Sequence, residues 1–122
     1  KKALEALGNH AVVTPAYEAA VREWPADALA WFALANNQQA LGQDAAAETA
    51  YRQVLRLAPT QIPASNNLAL LLAQSGCKTE ALAVLEPARA AAAGGPLAAE
   101  LADTLRTIES SPASAPAVCN AH

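Results

Sequence analysis

Three glycines, Gly8, Gly42 and Gly76, lie 34 residues apart, and this spacing restricts the possible folds of the chain more than any other feature. Other positions repeat with the same step, namely Tyr17 with Tyr51, Pro25 with Pro59, and Ala20 with Val54 and Ala88. A fixed period of this length indicates an array of stacked units, each of which buries its apolar face against its neighbours. We therefore expect the function to reside on a surface rather than in a catalytic cleft.

The middle unit carries small and apolar residues at fixed places: Trp31, Leu34, Ala35, Leu41, Gly42, Ala47, Tyr51, Leu55, Leu57 and Pro59. In order and spacing they resemble the pattern of the tetratricopeptide repeat (TPR) family, a helix–turn–helix unit of about 34 residues. A second unit has Leu68, Ala69, Leu72, Gly76, Ala81, Leu85 and Ala88 in the corresponding places, but Ser65 replaces the aromatic residue. The resemblance covers about residues 1–95.

This resemblance implies an all-α fold, a TPR-type helical-hairpin solenoid or α-α superhelix of about 2.5 repeats plus a C-terminal capping helix. We expect a TPR domain over residues 1–109, with a partial repeat at 1–27, full repeats at 28–61 and 62–95, and the capping helix at 96–109. Residues 110–122 contain little apolar bulk and are expected to form a flexible tail. Because the chain begins partway through a repeat, we expect it to be a fragment of a longer protein.

Turn and capping residues place the expected helices. Gly8 is expected to end a first helix, and a second helix is expected to begin at Thr14 with Pro15 in its first turn, or else near Asn9 with a kink. Asp27, Asp44 and Thr79 are expected to cap the helices that follow them, and Thr60 to open another. The later helices are therefore expected at 28–41, at 45–57, from 60 to 75, after Thr79 up to the Gly94-Gly95-Pro96 break, and at 96–109.

Composition and charge exclude several classes of partner. The hydrophobic content of 53% includes much alanine, a strong helix former, and no run of about 18 apolar residues occurs, so we expect no membrane insertion. The net charge is −3, and the eight Lys and Arg residues are scattered rather than clustered. Nucleic-acid binding requires a basic patch, so we expect no nucleic-acid partner.

The chain offers little for catalysis. His10 and His122 lack an acidic residue at helical spacing that would orient them as bases. Cys77 and Cys119 have no metal-ligand spacing, and we expect two free thiols, of which Cys77 could be activated by the start of a helix. The sequence therefore predicts no catalytic residue, no metal and no cofactor.

The expected peptide-binding groove uses residues on the first helix of each repeat, because these helices line the concave face in the TPR family. Trp31 is expected to be a packing residue, which leaves Phe32, Asn36 and Gln39 together on another face of that helix. On the next first helix, Asn67 and Gln74 share a face. Amide side chains can bind the main chain of an extended peptide without demanding a sequence, while the Phe32 ring offers apolar contact. A solvated surface is the alternative for these amides.

Some TPR domains hold the C-terminal carboxylate of a partner with two asparagines and a set of Lys and Arg residues. By the resemblance, Asn36 and Asn67 occupy the asparagine positions, whereas Phe32, Leu97 and Leu101 stand where the basic residues would be. A carboxylate without a cation gains much less from being bound. The sequence therefore favours binding to a peptide backbone over capture of a terminal carboxylate.

Three functions are compatible with these features. The first is a protein–protein interaction scaffold that binds a peptide or helix of a partner. The second is an accessory domain of a larger bacterial enzyme, because the strings at 66–69, 94–96 and 104–108 are similar to the C-terminal repeats of certain C39-like cysteine peptidases. The third is self-association into a homodimer through an uncovered apolar face. The alanine-rich composition with more arginine than lysine indicates a bacterial origin.

Overall fold

The computed structural model describes the backbone of residues 2–112 and the side chains of residues 11–112. This part of the chain forms six α-helices: α1 (Lys2–Glu23), α2 (Ala28–Ala40), α3 (Asp44–Leu57), α4 (Ile62–Gln74), α5 (Lys78–Ala92) and α6 (Ala98–Glu109). The expected all-α fold is confirmed. The helices divide into two compact units, Lys1–Pro59 and Thr60–His122. The expected tail lies outside the described residues from residue 113 onward.

The first unit is built around α2, which packs against both α1 and α3. Its core consists of apolar side chains that are almost completely removed from solvent: Val21, Leu34, Ala35, Ala47, Ala50, Tyr51 and Val54. Trp31 is half-buried, and its indole Nε1 donates a hydrogen bond to the carbonyl of Pro25 over 2.9 Å. The Trp31 side chain therefore links α2 to the turn that precedes it.

The second unit also contains three helices, and all three pairs are in contact: α4 packs against both α5 and α6, and α5 packs against α6. Its core includes Leu68, Ala69, Leu72, Ala81, Leu85, Ala88, Leu101 and Ile108. Leu101 and Ile108 lie one above the other on the buried stripe of α6, while Asp103 and Arg106 are exposed. An amphipathic helix of this kind covers the apolar side of the α4–α5 hairpin.

Two of the periodic glycines form the turns inside the helical hairpins. Gly42 and Gly76 have φ angles of 77° and 84°, the left-handed region that favours glycine. The same hydrogen bond closes both turns: Gln43 N donates to Gln38 O over 2.9 Å, and Cys77 N donates to Leu72 O over 2.8 Å. An added Cβ would meet nothing within 4 Å at either glycine. Backbone conformation, not lack of space, therefore requires these glycines.

The expected turn at Gly8 is wrong, because α1 continues through both Gly8 and Pro15 as one helix of 22 residues. A glycine inside a helix costs only about 1 kcal/mol relative to alanine, and a continuing helix gives the surrounding amides carbonyl partners. The proline removes one backbone hydrogen bond within the helix. The expected helix start at Thr14 is wrong for the same reason.

The capping residues agree with expectation at Asp27 and differ elsewhere. Asp27 Oδ1 accepts hydrogen bonds from Leu29 N at 3.0 Å and Ala30 N at 3.3 Å. Helix α3 begins at Asp44, the residue expected to cap it, and α5 begins at Lys78, one residue before its expected cap Thr79. In both cases the preceding residue closes the glycine turn and leads directly into the helix.

The start of α4 also differs, since Gln61 caps this helix in place of Thr60. Its Oε1 accepts a hydrogen bond from Ala64 N over 2.7 Å. The intervening Pro63 has no amide proton, so Ala64 carries the first amide that a side chain at this point can satisfy.

Cys77 is disulfide-bonded, so the expectation of a free and activated thiol is wrong at this residue. The residue is fully buried at the beginning of α5. Disulfide pairing depends on tertiary proximity, which the spacing of two isolated cysteines does not reveal. Cys119, the other cysteine of the sequence, lies outside the described residues.

The Asp27 cap gives a test of this helix start. We expect Asp27→Ala to lower the free energy of unfolding by about 1 kcal/mol, because two amides of the first turn lose their acceptor. Asp27→Asn retains an oxygen acceptor and is the matched control, with most of the stability preserved. Urea unfolding followed by circular dichroism measures both variants, and equal losses for Ala and Asn would contradict the capping role.

Candidate functional site

The first unit has an open groove between α1 and α2 with a volume of about 300 Å³. Its lining residues are Val13, Tyr17, Phe32, Ala33, Asn36 and Asn37. Val13 and Tyr17 are one turn apart on α1, and Phe32 and Asn36 are one turn apart on α2. The structure thus brings together two of the expected site residues, Phe32 and Asn36, and adds an aromatic residue from the neighbouring helix.

The buried Tyr51 of α3 supports this groove from below. Its ring lies 6.2 Å from that of Phe32, with an angle of 59° between the two planes, a tilted arrangement that aromatic rings favour. Tyr51 is fully buried, whereas Phe32 is half-buried. One face of Phe32 is therefore fixed by packing, and the remainder of its ring is available to a ligand.

The Tyr51 hydroxyl also engages the two expected amides of α2. It is hydrogen-bonded to the side chains of Asn36 and Gln39, with a distance of 2.8 Å from Tyr51 Oη to Gln39 Oε1. A hydroxyl group donates only one proton, so the two amides cannot both be acceptors from it at full strength. This contact fixes their orientation, and a simply solvated surface does not describe Asn36 or Gln39.

Asn37 is a groove residue that the sequence interpretation missed. It is 2% exposed, and its Nδ2 donates a hydrogen bond to Thr14 Oγ1, which joins α2 to α1 beneath the groove. A comparison of the two repeats could have found it: residues 36–39 are Asn-Asn-Gln-Gln, and the positions 34 residues later, 70–73, are Leu-Leu-Leu-Ala. Four consecutive polar residues at places that are apolar in the next repeat mark a local departure from the packing pattern.

Gln38 belongs to the same polar run but does not line the groove. Its side chain is 9% exposed, and among the side chains of residues 11–112 its Oε1 is a buried oxygen without a hydrogen-bond partner. The equivalent residue of the second unit is the fully buried Leu72. A buried acceptor of this kind costs about 1–3 kcal/mol, so Gln38 lowers the stability of the first unit relative to an apolar residue.

The expected residues of the second unit, Asn67 and Gln74, do not line one cavity. Asn67 lines a cavity of about 50 Å³ with Ile62, Pro63, Asn66, Leu97, Glu100 and Leu101, whereas Gln74 is exposed at the end of α4 and does not line it. Leu97 and Leu101 stand where TPR domains that bind a C-terminal carboxylate would have basic residues, and here they form an apolar wall of this cavity. No Lys or Arg belongs to its described lining.

Within residues 2–112, no group of three or more His, Cys, Asp or Glu side chains could hold a metal ion. None of the helices in this range combines the length and apolarity needed to cross a bilayer. The linings of the groove and the cavity consist of aromatic, aliphatic and amide groups and one carboxylate, Glu100, and these groups suit non-covalent binding.

Comparison with known families identifies the middle of the chain. Residues 28–61 match the family model described as tetratricopeptide repeat. This segment is a tetratricopeptide repeat. The match has the boundaries expected for the first full repeat. No curated protein matches the sequence significantly.

The solved structures with a similar fold include those of a TPR-type chaperone. The type III secretion translocator chaperone SycD of Yersinia enterocolitica superimposes with a TM-score of 0.77 at 22% identity, over 84% of this chain and 73% of SycD. The same chaperone in complex with a peptide of the translocator YopD gives a TM-score of 0.76 at 21% identity, over 89% of this chain and 94% of the other. At this identity the likeness establishes the fold, and the weaker resemblance to C39-like peptidases stays a hypothesis.

The Tyr51 network predicts a measurable loss of stability. We expect Tyr51→Phe to lower the free energy of unfolding by about 0.5–1.5 kcal/mol, because the amides of Asn36 and Gln39 lose the hydroxyl between them. Tyr17→Phe is the matched control, since Tyr17 is half-buried in the groove and its hydroxyl makes no hydrogen bond among the described residues. Urea unfolding compares the two, and an equal response of both variants would contradict the assignment.

Proposed function

We propose that the protein is a non-enzymatic interaction scaffold and that the groove of the first unit binds an extended segment of a partner protein. The observation that carries this proposal is the groove between α1 and α2, in which Phe32 and Asn36 lie beside Tyr17 and Val13. The expected contribution of Gln39 to peptide binding is part of the same proposal, and the contributions of Asn67 and Gln74 are proposed separately for the second unit.

The chemistry of the groove suits a peptide. Two aromatic rings, a valine and an alanine offer apolar contact, and the half-buried amide of Asn36 lies along the same wall. Aromatic side chains contribute large contact areas at low entropic cost. An amide carries both a donor and an acceptor, so it can pair with either group of a peptide bond. Because Tyr51 already orients Asn36, less ordering is required when the ligand binds.

The fold likeness supports the same class of function. SycD, whose structure is similar, has been solved with a peptide of its translocator YopD. By analogy, the ligand of the present protein is a segment of another protein rather than a small metabolite. Apolar residues stand where carboxylate-binding TPR domains would have Lys or Arg, namely Phe32, Leu97 and Leu101. They favour an internal segment of the partner over its terminal carboxylate.

Two further roles accompany the scaffold hypothesis. Val12 and Leu29 are exposed by 78% and 72%, and Trp24 by 60%, so the first unit has apolar surface that a second copy of the chain could cover. If the C39-like hypothesis is correct, the scaffold serves an enzyme whose catalytic residues lie outside this sequence. A scaffold within an enzyme would present the same groove.

The test uses an array of immobilised random dodecapeptides to select a ligand, followed by calorimetric titration of that peptide. We expect Phe32→Ala and Ala33→Glu each to weaken binding by about tenfold or more, since one removes apolar contact and the other fills the groove with charge. Ala33→Glu keeps the packing between Phe32 and Tyr51, which guards against a loss that merely reflects unfolding.

The matched control is Gln43→Ala, which removes an exposed amide that makes no capping hydrogen bond. Its affinity is expected to equal that of the unmodified chain. Binding that survives both groove variants while the fold is intact would exclude the groove as the ligand site, and selection of peptides only through a free C-terminal carboxylate would contradict the preference for internal segments.

A further inference from the structure

The second unit contains a cavity of its own, which shares no residue with the groove of the first unit. It lies between α4 and α6 and has a volume of about 50 Å³. Ile62 and Pro63 of the first turn of α4 form one apolar wall, and Leu97 and Leu101 at the start of α6 form the other. The cavity therefore lies between two helices that already pack against each other in the second unit.

Asn66 gives this cavity a defined polar group. The side chain is 7% exposed, and its Oδ1 accepts a hydrogen bond from the hydroxyl of Thr104, a buried residue of α6. The Thr104 hydroxyl also lies 3.2 Å from the carbonyl of Glu100, so α6 fixes its position. Asn66 Nδ2 makes no hydrogen bond among the described residues. It is the donor that remains for a ligand in the cavity.

The size of the cavity limits what can enter. A cavity of about 150 Å³ accommodates a benzene ring, and this one is about one third as large. The branched end of a valine or leucine side chain fits such a space, whereas a phenylalanine ring does not. The two apolar walls, formed by four residues, favour an aliphatic group over a hydrated one.

The charge at the cavity restricts the ligand further. Glu100 is exposed and belongs to the lining, and no basic residue does so among the described residues. A carboxylate in this position attracts a neighbouring cation and repels an anion, although an exposed pair changes affinity only modestly. The surroundings therefore favour a ligand with a lysine or arginine beside its aliphatic residue.

We propose that this cavity is a second peptide-binding site, which takes one aliphatic side chain of an internal segment flanked by basic residues. Asn66 Nδ2 donates to the main-chain carbonyl of the inserted residue, and Glu100 faces the flanking cation. The proposal rests on the proposed function in assuming a peptide ligand, but it concerns residues of the second unit alone.

The probe is the acetylated and amidated pentapeptide Gly-Lys-Leu-Lys-Gly, titrated into the full chain and followed by NMR at the Asn66 side-chain amide and the Leu101 methyl groups. We expect saturable shifts at both positions. Replacing the central leucine by alanine or phenylalanine is expected to weaken binding about tenfold or more. Replacing both lysines by glutamate is expected to weaken it about two- to fivefold or more. Equal shifts for all four peptides, or no saturation with the leucine peptide, would overturn the proposal.

Variants separate the polar and charged contributions. Asn66→Asp keeps an oxygen for Thr104 and removes the Nδ2 donor. Its added carboxylate attracts the lysines of the probe only modestly, so we still expect binding of the leucine peptide to weaken, by about twofold or more. If this variant does not fold, Leu97→Phe fills the cavity from a half-buried position and is expected to abolish binding. Glu100→Lys is expected to reverse the preference for lysine over glutamate, whereas Glu109→Lys, the same charge change at another exposed site of α6, leaves the preference unchanged.

The groove variant Ala33→Glu separates this inference from the proposed function. It is expected to leave the pentapeptide titration unchanged, because Ala33 belongs to the other unit. If Ala33→Glu abolishes binding of the array-selected peptide while the pentapeptide gives no saturable shift at Asn66, the cavity proposal is wrong and the scaffold function stands. Loss of the array result alone contradicts the groove proposal and leaves the cavity result supported.

Discussion

Each helical hairpin depends on the burial of small side chains at equivalent places. Ala35 and Ala47 in the first unit, and Ala69 and Ala81 in the second, are 0% exposed, and each pair is carried by the two helices of one hairpin. The distance at which helices pack depends on the side chains between them, and a methyl group allows a close approach. A larger residue at any of these four positions has no solvent-facing path by which to escape, so it would separate the helices and the side chains around them.

The candidate binding surfaces lie where the two repeats differ in sequence. Tyr51 of the first unit corresponds to Leu85, and its amide partners Asn36 and Gln39 correspond to Leu70 and Ala73. Hydroxyl and amides thus occur together in one repeat and are replaced together by apolar residues in the other. The second unit places its polar group elsewhere, at Asn66, which is the counterpart of the aromatic Phe32. Both hairpins keep one packing scheme, while their polar groups lie at different candidate sites.

The sequence was sufficient for the helical-hairpin fold because its signals are local and periodic. The glycine turns at 42 and 76, the cap at Asp27 and the apolar spacing of α2 to α5 all have the structure expected. The helix end predicted at the third glycine, Gly8, is wrong. Gly8 matches the period but lies inside α1, because continuing a helix costs little at a single glycine. The caps at Gln43, Gln61 and Cys77 depend on how the preceding turn ends, and the sequence alone does not fix this.

The candidate sites were less accessible to sequence interpretation. Phe32 and Asn36 could be placed on one helix face, but the contribution of Tyr17 depends on how α1 packs against α2. The contact between Asn66 and Thr104 joins residues 38 positions apart, and no spacing rule predicts it. The disulfide bond of Cys77 is likewise a tertiary feature. The periodicity of the sequence predicts which residues share one face of a helix. Which faces of different helices pack together is seen only in the structure.

Lys78 binds backbone carbonyls at the end of α6, and this contact restricts the residue type at position 78 but not at the positions of its partners. Its Nζ donates hydrogen bonds to the carbonyl oxygens of Glu109 at 2.8 Å and Ser111 at 3.3 Å, at the end of the helix where a cation is favourable. Backbone carbonyls are present whatever the side chains are. Related sequences can therefore vary freely at 109 and 111 without losing this attachment, while position 78 retains it only with a long basic side chain.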